Sequence, residues 1–170
     1  IIIKGKVFDA KNLIKELNKS DKNDKFFNKI SKDIQIDFDN VQKIAKFPLK
    51  NFRLIGTIKK GSFEKISAKS DFSEKDHLDI SLKKSKETQK KILEVYSDIA
   101  LPLLSDYKFF QGLEGGNLNF LSNFDNKEST NLLNINNFKL NEAPALAKLL
   151  SLADLKGLTD TLKGDGISFD

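Results

Sequence analysis

Cysteine, methionine and tryptophan are absent from the 170 residues of this chain, and arginine and histidine occur once each, as Arg53 and His77. Without cysteine, the sequence can form neither disulfides nor thiolate metal sites. A lone histidine gives a metal cluster or a Ser-His-Asp triad little to build on. We therefore predict no catalytic residue, no metal site and no cofactor, and we do not expect an enzyme.

The net charge of +5 by itself would be compatible with binding to nucleic acid. However, arginine is the preferred side chain for phosphate and guanine recognition, and here it is nearly missing. The lysines are also dispersed among 24 acidic residues instead of being clustered. This pattern favours a solvated lysine surface, and we expect no nucleic-acid partner.

Long apolar runs are missing as well. No stretch approaches the roughly 18 consecutive apolar residues of a membrane-spanning helix, and no signal peptide is visible. The length is typical of one domain with a sizeable core. Because the chain contains no methionine, we expect it to be a piece of a longer protein, with any membrane anchor outside this sequence.

Apolar and polar residues alternate over most of the chain, which predicts β-strands with one apolar face. We predict about eight strands, including a meander over 33–97 and further strands over 115–140. Within the meander, nine apolar residues in phase are predicted to share one continuous surface: Ile34, Ile36, Phe38, Phe52, Leu54, Ile58, Leu78, Ile80 and Leu82.

Three stretches interrupt the alternation and predict helices: 10–18, 98–110 and 143–163. In the last of these, six residues form an apolar stripe that we expect to pack on the sheet: Leu146, Leu149, Leu150, Ala153, Leu158 and Leu162. The predicted fold is α+β, a curved antiparallel β-sheet forming a groove-like meander, with three or four short helices on its apolar face. An opening strand and helix over 1–32 precede the meander, and a further strand begins at 167–170.

The run FKLNEAPALAKLLSLADLKGLTDTLKGDGISFD, at 138–170, resembles the C-terminal region of the AsmA-like family of bacterial envelope proteins. The matching positions are Pro144, Leu146, Ala147, Leu149, Leu150, Leu155, Gly157, Leu158, Leu162, Gly164, Gly166, Ile167 and Phe169. Asp154 departs from the pattern, since a serine is more usual there. Two upstream stretches, KGKVFDAKNLI and SDIALPLLSDYKFFQGLEGGNLNF, are similar to family segments in the same order.

This resemblance implies a periplasmic part of a protein anchored in the inner membrane of a bacterium with two membranes. It also implies an apolar β-groove that contacts phospholipid acyl chains, supports phospholipid transport between the two membranes and maintains the outer membrane. The nine in-phase residues of the meander would line that groove, and other envelope proteins are possible partners. Two alternatives stay open: a purely structural domain without lipid contact, and a soluble enzyme for which no catalytic residues can be named.

Overall fold

The computed structural model describes residues 1–10, 31–42, 47–105, 107, 110, 112–125, 127–140 and 167–168. Within these residues the chain forms nine strands, of which eight are seven to twelve residues long. Their bounds are β1 Ile2–Asp9, β2 Lys32–Gln42, β3 Leu49–Lys59, β4 Ser62–Asp71, β5 His77–Lys84, β6 Lys91–Ser97, β7 Leu113–Phe124, β8 Ser129–Leu140 and β9 Ile167–Ser168.

All nine strands belong to one sheet, in which their spatial order follows their order in the sequence. Strands β2 to β8 pair antiparallel, each with the next strand along the chain. The outer pairs, β1 with β2 and β8 with β9, are parallel. Parallel neighbours need a crossover of a dozen or more residues, and these two pairs are indeed joined by the long stretches 10–31 and 141–166. The sheet is therefore mixed.

The prediction of an α+β fold with three or four short helices is wrong, because the described chain is nearly all sheet. Its α-helix, α1, comprises only Leu101–Leu104, although the sequence predicted helix over 98–110. Pro102 lies in the first turn of α1, and strand β7 already begins at Leu113, two residues before the predicted strand region. The predicted helix at 143–163 lies outside the described residues, and so does the predicted helix at 10–18 apart from residue 10.

Two departures from regular alternation shape the sheet. Asn51 and Asn137 have left-handed backbone conformations, with φ of 52° and 59°. The apolar phase of β8 shifts between Ile135 and Phe138, and Asn137 lies in that interval. On the neighbouring strand β7, Gly116 has φ of 79°, and a Cβ there would lie 2.8 Å from the Cβ of Phe138. Glycine is therefore required at this close approach of the two strands.

The buried core lies where the connection between β6 and β7 packs on the sheet. One cluster joins Ala100, Leu104 and Phe110 of this connection to strands β7 and β8. A second cluster joins residues of β2, β3 and β5. Leu103 packs against both clusters, so the short connection ties the two halves of the sheet together.

Candidate functional site

One face of the sheet is largely apolar, and we call it the apolar face. The inter-strand register aligns its side chains in rows that run across strands β2 to β8. The first, which we call the connection row, contains Phe38, Phe52, Ser70, Leu78, Ser97, Leu118 and Ile135. The next, the central row, contains Ile36, Leu54, Ala68, Ile80, Val95, Phe120 and Leu133. The third, the hairpin row, contains Ile34, Gly56, Ile66, Leu82, Leu93, Ser122 and Asn131.

The structure brings together the nine apolar residues singled out in the meander. Eight of them lie in these three rows, and Ile58 lies one position further out, opposite Lys32. Leu78 and Leu82 are buried, and the other seven are partly exposed. Strands β6, β7 and β8 extend the same surface with residues such as Val95, Phe120 and Leu133. The apolar face therefore spans seven strands, well beyond the meander.

The few polar side chains in these rows have hydrogen-bond partners within the protein. The hydroxyl of Ser70 donates to the carbonyl oxygen of Lys50 at 2.7 Å. Ser97 donates to the carbonyl oxygen of Ile99 at 2.7 Å, and Ser122 donates to the side-chain oxygen of Asn131 at 2.6 Å. Because these hydroxyls are satisfied internally, they do not require water or a polar ligand on the apolar face.

The two ends of the apolar face differ. At the connection end, α1 and its flanking residues cover the sheet, and Leu118 and Ile135 are only 3% and 5% exposed. At the opposite end lie the tight turns β3–β4, β5–β6 and β7–β8, so we call it the hairpin end. There the outermost position on three strands is a lysine: Lys32 on β2, Lys84 on β5 and Lys91 on β6.

The other face of the sheet, which we call the polar face, carries ion pairs between neighbouring strands. Asp37 lies between Arg53, at 2.9 Å, and Lys4, at 3.7 Å. The hydrogen bond from Arg53, and then that from Gln35, lowers the pKa of the Asp37 carboxyl. Lys69 pairs with Asp79 at 3.1 Å. Such exposed pairs each contribute little to stability, and they keep this face hydrated.

Lysine and serine side chains of β5 also hold a carboxylate on β6. Lys83 lies 3.0 Å from Glu94, and the hydroxyl of Ser81 donates to the same carboxylate at 2.9 Å. The hydrogen bond from Lys83 is the main reason that the pKa of Glu94 is lowered. A carboxylate held ionised in this way is a poor general acid, so it does not suggest catalysis.

His77 joins a small network where β4, β5 and β6 meet. Its Nδ1 lies 2.8 Å from Asp71 Oδ1, which raises the pKa of the imidazole. Asn51 also donates to Asp71 at 2.8 Å, and that bond is the larger cause of the lowered pKa of this aspartate. The backbone N–H of His77 donates to Asp98 at 2.9 Å. The imidazole is about half exposed, and its partners are side chains and backbone of neighbouring strands, which fits a structural link between strands.

A shallow depression of about 550 Å³ lies across strands β4 to β8. The side chains of Tyr96, Leu121, Leu132, Asn119 and Asn134 line it from the polar face. Tyr96 and Leu132 are 38% and 40% exposed, respectively. Sequence reasoning missed this feature, because it assigned apolar residues to the other face only. Tyr96, Leu121 and Leu132 lie out of phase with their neighbours, and that irregularity was the available signal.

Several predicted features cannot be placed on this surface. The six helix residues Leu146, Leu149, Leu150, Ala153, Leu158 and Leu162 lie outside the described residues. Among the residues that are described, no group of three or more His, Cys, Asp or Glu side chains could hold a metal ion. The described part of the chain also contains no helix that is long and apolar enough to cross a membrane.

Comparison of the chain with models of protein families, with curated proteins and with solved structures finds no match. The similarity to the AsmA-like family therefore stays a prediction, and it rests most strongly on the terminal run 138–170.

Proposed function

We propose that the apolar face binds the acyl chains of phospholipid. The chain would form the periplasmic part of an AsmA-like protein anchored in the inner membrane of a bacterium with two membranes. Its role there would be to support phospholipid transport between the inner and outer membranes and the integrity of the outer membrane. The observation that carries this proposal is the alignment of Ile36, Leu54, Ile80, Val95, Phe120 and Leu133 in one uninterrupted apolar row.

The length of the apolar face also supports the proposal. Lys84 at the hairpin end lies six positions along β5 from Leu78 in the connection row. Lys91 lies six positions along β6 from Ser97. At about 3.3 Å per residue, this distance is roughly 20 Å. The chains of one lipid leaflet span about 15 Å, half of the hydrocarbon core of a bilayer. A lipid chain lying along the strands would therefore fit between the core and the lysines.

The partial exposure of this face is a further argument. Ile36, Leu54 and Ile80 remain partly exposed, whereas Leu118 and Ile135, in the adjacent row, are buried by the β6–β7 connection. Covering partly exposed apolar area with a lipid chain would gain about 25 cal/mol for each Å² removed from water. This gain is available at the partly exposed apolar residues of the central and hairpin rows.

Photocrosslinking of the full-length protein in its native envelope tests the proposal. A photoreactive amino acid at Ile36, Leu54 or Ile80 should capture phospholipid. The same probe at Asp37, Arg53 or Asp79, on the polar face, is the matched control and should capture little. Equal capture from the two faces would contradict the proposal.

The alternative function is that of a structural domain without lipid contact. The observation that favours it is the core at the connection end, where the chain fills its own apolar face with Ala100, Leu104 and Phe110. In that case, the probes at Ile36, Leu54 and Ile80 would crosslink to protein and not to lipid.

A further inference from the structure

The hairpin end of the apolar face is basic. On β2, β5 and β6, the apolar side chains that face this surface are followed by a lysine at the next position on the same face. The series are Ile36, Ile34 and Lys32 on β2, then Ile80, Leu82 and Lys84 on β5, then Val95, Leu93 and Lys91 on β6. An amphiphile lying along these strands would meet apolar side chains first and cationic side chains at its end.

Two of these lysines are placed against each other. Lys84 and Lys91 are direct register partners in the antiparallel pair β5–β6. Like charges in that position are destabilising in a sheet. The ammonium of Lys91 donates to the hydroxyl of Ser62 at 2.7 Å, which is a neutral group and does not compensate its charge. An anion bound between the two lysines would remove the repulsion.

Two turns at the hairpin end, β5–β6 and β3–β4, add to the positive charge. The stretch 84–91 contains four lysines, Lys84, Lys86, Lys90 and Lys91, and one acid, Glu87. Lys90 is paired with Glu128 across to the β7–β8 turn. The β3–β4 turn contributes Lys59 and Lys60. By contrast, the β4–β5 turn at the connection end, 71–76, has three acids against one lysine.

We infer that Lys84 and Lys91, which are opposite each other on β5 and β6, bind the phosphate of an anionic phospholipid whose acyl chains lie on the apolar face. Lys32, three strands away on β2, adds positive charge at the same end of the sheet. This inference rests on the proposed function and names the substrate class, a phospholipid with net negative charge. The apolar rows would favour any lipid of suitable chain length. The lysines add a preference for lipids whose headgroup carries no compensating cation.

Binding of monomeric short-chain lipids to the purified full chain tests this inference. The probes are dihexanoyl phosphatidylglycerol, which is anionic, and dihexanoyl phosphatidylcholine, which is zwitterionic, both kept below their micelle concentrations. Phosphatidylglycerol should bind more tightly, and its affinity should fall as salt is added. A lysine near an anionic lipid contributes about 1 kcal/mol, so Lys84→Gln should weaken phosphatidylglycerol binding about fivefold and leave phosphatidylcholine binding unchanged.

The double variant Lys84→Gln/Lys91→Gln should lose most of the preference for phosphatidylglycerol. Its matched control is Lys65→Gln/Lys69→Gln, which removes the same charge from the polar face of β4. An equal loss in the two double variants would overturn the inference, because it would indicate general attraction by net charge. Circular dichroism and urea unfolding check that each variant is folded, and the single variant Lys84→Gln leaves the Lys91–Ser62 bond in place.

Two further outcomes separate this inference from the function on which it rests. If both lipids bind with equal affinity, the apolar face binds lipid and the inference about the lysines is wrong. If neither lipid binds, the proposed function fails and the inference fails with it. Association with phosphatidylglycerol vesicles without binding of the monomeric lipid would also overturn it, since the lysines would then be attaching the protein to a membrane surface.

Discussion

The two ends of the apolar face are built from the same alternating strands, yet they differ in what surrounds them. At the connection end, Leu113 and Leu118 are 2% and 3% exposed because the β6–β7 connection packs on them. At the hairpin end, Ile34 and Leu93 are partly exposed, and lysines follow them on their strands. The difference indicates that stability resides at the connection end, whereas apolar side chains at the hairpin end stay partly exposed.

The largest expected effect is a difference in the loss of folding stability when one leucine at each end is replaced by alanine. Leu118→Ala should destabilise the protein by about 2–5 kcal/mol, since it leaves a cavity in the core beneath α1. Leu93→Ala, on the neighbouring strand at the hairpin end, should cost only about 1 kcal/mol, because part of its side chain already contacts water. Urea unfolding of both variants measures the contrast. Equal costs would show that the hairpin end is packed as tightly as the core.

A smaller difference in stability loss is expected when each of two glycines that lie close to a neighbouring strand is replaced by alanine. Gly116→Ala should cost about 2 kcal/mol, because φ is 79° and the new Cβ would lie 2.8 Å from the Cβ of Phe138. Gly56→Ala, in the hairpin row, should cost about 1 kcal/mol. Its Cβ would lie 3.0 Å from the backbone carbonyl oxygen of Lys65, so the two strands must shift slightly, but Gly56 does not have the left-handed backbone conformation of Gly116. Thermal unfolding compares the stability of the two variants. A larger loss of stability in Gly56→Ala than in Gly116→Ala would contradict the conclusion that stability resides at the connection end.

Removing the charge of Lys84 should increase the stability of the protein, whereas the preceding substitutions decrease it. Lys84→Gln should stabilise the isolated protein by a few tenths of a kcal/mol, since it removes the repulsion between Lys84 and Lys91. Lys83→Gln is the control on the same strand, and it should destabilise slightly because it breaks the ion pair with Glu94. Urea unfolding at low and high salt measures both changes. The gain in Lys84→Gln should shrink as salt screens the repulsion, and a gain that is independent of salt would exclude a charge effect.

The smallest expected effect is a pH dependence at the connection end. The Asp71 carboxylate raises the pKa of His77 above its ordinary value of 6.5. The contribution of this pair to stability is therefore fully present below about pH 6.5, and it is lost as the pH rises through the higher folded-state pKa. It also declines in acid as Asp71, whose pKa is lowered by its hydrogen bonds to Asn51 and His77, becomes protonated.

Titration of the His77 ring protons by NMR measures this pKa directly. Asp71→Asn should move the pKa of His77 back toward its ordinary value, because the neighbouring negative charge is gone. The matched variant Asp37→Asn, on a different part of the polar face, should leave the His77 titration curve unchanged. If neither substitution changes the pKa of His77, the pair between His77 and Asp71 does not form in solution.

Much of the sheet could be predicted from local sequence pattern, whereas the helical content could not. Ile34, Ile36 and Phe38 share a face because successive side chains of a strand point to opposite sides, whatever the strand pairs with. The short helix predicted over 98–110 forms only at Leu101–Leu104, because an apolar stretch of that length suits a helix and a packed irregular connection equally well. The depression lined by Tyr96 and Leu132 was not predicted, because its shape depends on how the five strands β4 to β8 are arranged in the sheet.

The sequence by itself determined which residues of each strand can share a face, since alternation is a property of the extended backbone. Only the tertiary structure decided which strands are neighbours, that the outer pairs β1–β2 and β8–β9 are parallel, and which end of the apolar face is covered. It also decided that Lys84 and Lys91 lie opposite each other. These features depend on register between strands, and a shift of one residue in register would turn every side chain of a strand to the other face.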